Sequence, residues 1–82
     1  YQLTLFIRPE HPQAKNNLAA VYIKRGHLSK AKRLLLEVLK LRPGYADAHY
    51  NLGIIYNYEG KTELAGIEFK LTRKLDLHKT IP

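Results

Sequence analysis

An all-α fold of stacked antiparallel helix pairs is what this sequence predicts, on three observations. The chain matches itself at a shift of 34 residues. Apolar residues recur at helical spacing inside each copy. Glycine and proline fall between the apolar stripes, where helices stop.

The internal match is the strongest of the three, since a repeat dictates the architecture before any local propensity does. Residues 12–45 face residues 46–79 without a gap: Ala14 on Ala48, Asn17 on Asn51, Leu18 on Leu52, Tyr22 on Tyr56, Gly26 on Gly60, Ala31 on Ala65, Lys40 on Lys74 and Leu41 on Leu75. Near matches include Ala19 with Gly53, Val21 with Ile55 and Leu35 with Phe69. Carried backwards, the register sets Tyr1 on Leu35, Thr4 on Val38, Ile7 on Leu41 and Pro9 on Pro43. Three segments follow: 1–11 as the end of a preceding repeat, 12–45 as one repeat, and 46–82 as another with a short tail.

Five helices are expected, over 1–8, 12–25, 29–41, 46–59 and 62–76. In the second, Ala14, Leu18, Val21 and Tyr22 make one stripe. Gly26 supplies a left-handed turn at its end. The third begins with Ser29 as N-cap and carries Ala31, Leu34, Leu35, Val38 and Leu41 on one face. Pro43-Gly44 then breaks the chain, and the next copy repeats the plan around Gly60. No segment reads as a paired strand. The expected core comprises Leu18, Tyr22, Ala31, Leu35, Leu52, Tyr56, Ala65 and Phe69.

Composition narrows the function. With 82 residues the chain has room for one small domain with a thin core. It has no cysteine, hence no disulfide framework and no thiolate metal site. The four histidines, His11, His27, His49 and His78, lack the short-range pairing of zinc ligands. His49 is expected to be a packing residue. Gly60-Lys61-Thr62 resembles the end of a phosphate-binding loop, but position 55 is Ile rather than Gly and the preceding segment is helical. No acid pair or nucleophile–base set stands out. Neither enzyme activity nor a cofactor is expected. No apolar run reaches the length of a membrane span, and no signal-peptide layout precedes Arg8-Pro9-Glu10. The chain opens at Tyr1 without an initiator Met, as an excised piece of a longer protein would, and a cytoplasmic setting is expected.

The period and its residues resemble the tetratricopeptide-repeat (TPR) family. That family's pattern is an aromatic, two residues, Leu-Gly, two residues, Tyr, then Ala, three residues, Phe, and later Pro. The second copy has His49, Leu52-Gly53, Tyr56, Ala65 and Phe69; the first has Lys15, Leu18-Ala19, Tyr22, Ala31, Leu35 and Pro43. Departures are Lys15 and His49 at the usual Trp, Thr72 and Arg73 at the usual Ala and Leu, and Leu77 in place of Pro. Arg73 stands where a following repeat would pack.

The resemblance implies a right-handed α-solenoid whose first helices line a concave groove for a protein or peptide partner. Carried over by position, the groove holds Gln13, Asn16, Ala20, Ile23 and Lys24 from one helix and Asp47, Tyr50, Ile54, Asn57 and Tyr58 from the next. Aromatic and aliphatic anchors beside amides suit a binding surface. One TPR sub-family grips the C-terminal carboxylates of chaperones with Lys and Asn on one first helix and Asn on the next. Here those positions are Asn16, Ala20 and Asn51, and only Asn51 matches, so that specificity is not implied.

Two further surfaces stand out in the sequence. Apolar residues in 1–8 lack a partner helix and would serve self-association. The net charge of +7 includes a basic run, Lys24, Arg25, Lys30, Lys32 and Arg33, open to nucleic acid or an anionic membrane surface. That run has no interleaved aromatics and no nucleic-acid motif, as expected of a solvated helical face.

Overall fold

The computed structural model describes the backbone of residues 11–80 and the side chains of residues 11–75. Among these residues four helices follow one another: α1 (Pro12–Lys24), α2 (Leu28–Leu41), α3 (Ala46–Tyr58) and α4 (Thr62–Thr80). Among the described residues there is no strand. The helix expected over 1–8, and the self-association surface assigned to it, lie outside the described residues.

Each helix end has a local cause. His11 caps α1: its Nδ1 accepts from the Ala14 N–H at 3.3 Å, and Pro12 at the first helical position forgoes an N–H that would find no partner. At the end of α1, Gly26 takes φ +80° and the His27 N–H donates to the Tyr22 carbonyl at 2.8 Å. At the end of α3, Gly60 takes φ +78° and the Lys61 N–H donates to the Tyr56 carbonyl at the same distance. Both are the left-handed glycine closure that satisfies a helix's last carbonyls.

Two expected boundaries are corrected. Ser29 is not the cap of α2. The glycine turn delivers the chain to a helical path at once, so the cap position falls on His27, whose side chain makes no capping bond, and Ser29 lies inside the helix. α4 runs to Thr80 rather than stopping near 76. In α2 the corresponding stop is Pro43, but its counterpart in α4 is Leu77, and no Pro or Gly occurs between Gly66 and Pro82.

α1 packs on α2, α3 on α4, and α3 also lies against both α1 and α2. Among the described residues α2 and α4 make no such contact. The first helices, α1 and α3, thus touch each other, while the second helices, α2 and α4, do not.

The core is Ala19, Ala31, Leu35, Val38, Ala48, Leu52 and Ile55. Ala65 is buried too, while Leu18, Tyr22, Tyr56 and Phe69 are half-buried. Val21 and Leu41, expected on the apolar stripes, are exposed. Since α1 is held by both α2 and α3, its buried arc turns toward Asn16 and Ala19.

Gly53 explains how α3 and α4 approach so closely. A Cβ there would stand 2.5 Å from Cε1 and 2.8 Å from Cδ1 of Phe69, distances no real side chain tolerates. The ring occupies the space a side chain at 53 would need.

Candidate functional site

The repeat's first helices, α1 and α3, are neighbours, and one polar contact ties them. The Asn51 amide donates to Asn16 Oδ1 at 3.1 Å. Asn16 is only 6 % exposed, so it belongs to the joint between the helices and offers little surface to a ligand. Burying an amide is costly unless it is bonded, and Asn51 supplies the bond.

Around this joint the other groove candidates differ in accessibility. On α1, Gln13 and Lys24 are exposed and Ala20 and Ile23 half-buried, with Ile23 leaning on the core. On α3, Asp47, Tyr50, Asn57 and Tyr58 are exposed and Ile54 is half-buried. Ile54, Asn57 and Tyr58 line one shallow depression. Tyr58 is 70 % exposed, unusual for an aromatic ring this large. Tyr50 rests on α4, its ring centroid 5.7 Å from that of Phe69 at an interplanar angle of 51°. That contact limits the rotamers of Tyr50 and lowers the entropy lost when a partner covers it.

The basic run is less uniform than its sequence. Lys24, Arg25, Lys30 and Arg33 are exposed. Lys32 points inward between repeats: its Nζ lies 3.2 Å from Glu59 Oε1 and 5.1 Å from the centre of the Tyr56 ring. Glu59 is also 3.5 Å from Lys61 Nζ. The hydrogen bond from Lys32, aided by the positive charges of Lys32 and Lys61, holds the Glu59 carboxyl below the usual carboxylate range.

Sequence reasoning missed the role of His49. Its Nδ1 is 2.7 Å from Glu68 Oε1 and its Nε2 is 2.8 Å from the Pro43 carbonyl oxygen. Both partners are acceptors. An imidazole that makes both bonds donates from both nitrogens and is the cation; a neutral ring keeps one of them. His49 thus links α3 to α4 and to the loop before α3, where simple packing was expected. The other described histidines act locally: His11 caps α1, and His27 sets its ring edge against Tyr22 at 6.0 Å. Among the described residues no cluster of acidic or His side chains is arranged to hold a metal ion, and no helix is long and apolar enough to cross a membrane.

Known proteins share this pattern. The TPR repeat profile matches residues 19–60. A TPR repeat-containing thioredoxin, TTL4 of Arabidopsis thaliana, is 34% identical over 65 residues, covering 79% of this chain and 10% of that protein. The protein O-mannosyl-transferase Tmtc2 of Drosophila melanogaster is 39% identical over 51 residues, covering 62% of this chain and 5% of that protein. The chain thus spans a tenth or less of the length of either relative.

Proposed function

This chain belongs to the tetratricopeptide-repeat family, whose members are in general protein-interaction modules, and we propose that it holds a peptide or helix of a partner protein against α1 and α3. In this reading residues 12–45 and 46–82 are two repeats of a longer array, and 1–11 end the repeat before them. Tyr58, Tyr50 and Ile54 are the anchors. Asn57 and Gln13 bond the partner's backbone, while Lys24 and Asp47 choose among charged residues. Asn16 holds α1 and α3 at their working separation.

The supporting observation is the surface of α3. Two tyrosines stand exposed on it, and Tyr58 shares a depression with Ile54 and Asn57. An aromatic anchor beside an aliphatic side chain and an amide is the composition that concentrates binding energy. The contact of α1 with α3, which α2 and α4 lack, is a second support, because it brings the first helices of the two repeats side by side.

Selection from a random peptide library, followed by fluorescence anisotropy on the enriched sequences, tests the reading. Tyr58→Ala is expected to weaken binding about tenfold or more, as truncation of an anchor does. Tyr50→Ala is expected to do so to a smaller degree. Enriched peptides that bind both variants as tightly as the parent chain would defeat the assignment.

A further inference from the structure

The outer side of α4 carries an apolar strip that the groove reading does not use. Leu64, Ile67 and Leu71 follow one another at helical spacing and are 44 %, 53 % and 38 % exposed. The side of α4 that meets α3 is a different one. It carries buried Ala65, the Phe69 ring over Gly53, and Thr72, whose hydroxyl lies 3.4 Å from the Ala46 carbonyl oxygen.

The repeat supplies its own control. Thirty-four residues earlier, the positions of Leu64, Ile67 and Leu71 are Lys30, Arg33 and Glu37 of α2. All three are exposed, although α2 has α1 on one side and α3 on the other. A following helix pair therefore does not cover this side of a second helix. Nor does the preceding one, since α2 is in place before α3 and α4 and the strip is still bare. Stacking of repeats explains neither its exposure nor its three aliphatic residues, and solvation would favour the charges that α2 displays.

We propose that this strip docks an amphipathic helix of another protein, one whose apolar stripe is bordered by carboxylates. Charge complementarity identifies the partner. Lys70 and Lys74, both exposed, follow Ile67 and Leu71 at three-residue spacing and form one margin of the strip. The chain's net charge is +7, which opposes a second copy of itself and favours an acidic molecule. Exposed Glu63 borders the N-terminal end, so the partner's carboxylates lie over the C-terminal half, beside Lys70 and Lys74. From Leu64 to Leu71 the strip spans about 10 Å, two turns of a docked helix. An anionic lipid surface would press Glu63 against its own charge, and the strip has no aromatic residue to enter the headgroup region.

The test uses the full chain with synthetic helical peptides of about 18 residues, long enough to fold alone. One has a Leu stripe flanked by Glu, the other the same stripe flanked by Lys. Vesicles of neutral and of phosphatidylserine-containing lipid are run in parallel. The Glu-flanked peptide is expected to bind about tenfold more tightly than the Lys-flanked one, and to shift the methyl resonances of Leu64, Ile67 and Leu71. The triple variant Leu64→Lys, Ile67→Arg, Leu71→Glu gives α4 the residues that α2 already carries there, so it is expected to keep its melting temperature and lose the peptide. Equal affinity for the two peptides, resonance shifts confined to α1 and α3, or undiminished binding by a folded triple variant would each overturn the proposal. So would a preference for phosphatidylserine vesicles that the triple variant abolishes without peptide binding in the parent.

Discussion

The two repeats build the same pair of helices from different side chains, and the differences are compensated locally. In the first, Ala19 and Leu35 hold the positions that Gly53 and Phe69 hold in the second. The larger ring in the second repeat goes with loss of the opposing methyl group, so the helix spacing survives. The family's Trp position shows the same logic with polar groups. Lys15 reaches from α1 to Glu37 of α2 at 2.7 Å, and His49 reaches from α3 to Glu68 of α4 at 2.7 Å. What a repeat preserves is a glycine turn, a small-against-large contact and a tie between its helices; the residue types that provide them are free to drift.

The sharpest way to break this comparison is at Gly53. Gly53→Ala gains helix propensity of about 1 kcal/mol but drives a methyl into the Phe69 ring, an overpacking that costs about 1–3 kcal/mol. The net loss is expected to reach about 1 kcal/mol in a denaturant melt. Adding Phe69→Leu recreates the first repeat's pair and is expected to recover most of it. A double-mutant cycle with no coupling would show that the two positions vary independently.

A second contrast separates the two ties. Lys15→Ala removes an ion pair whose Glu37 end is exposed, expected to matter by less than about 1 kcal/mol. His49→Ala removes a largely buried imidazole and leaves Glu68 without its partner, expected to cost about 1–2 kcal/mol. Equal losses in paired melts would make the two ties equivalent.

The smallest expected effect lies at the turns. The first repeat has Arg25 where the second has Glu59, and only Glu59 bonds across to Lys32 of the neighbouring repeat. Its folded carboxyl is held below its ordinary range, so its contribution is present above the unfolded carboxylate range and is lost as pH falls through the folded value. Stability measured from neutral to acid pH is expected to fall faster in the parent chain than in Glu59→Gln, the two curves converging at the acid end. Parallel curves would remove Glu59 from the joint.

Much of this was written in the chain. The 34-residue register, the glycine turns and the alanine–leucine core are local or periodic features. The near boundaries of α1, α2, α3 and α4 fall within one residue of expectation for the same reason. Helix period and turn chemistry act over a few residues, and sequence displays them directly. The crossing of α1 and α3 acts over longer distances. It decided that Asn16 is buried against Asn51 and that Val21 faces outward, and the packing of α3 on α4 likewise brought His49 to Glu68 and left it within reach of the Pro43 carbonyl. These partners lie 6 to 35 residues apart in sequence. Several residues on each helix could have met, and only the rotation and tilt of one packed helix on another selects the pair that does.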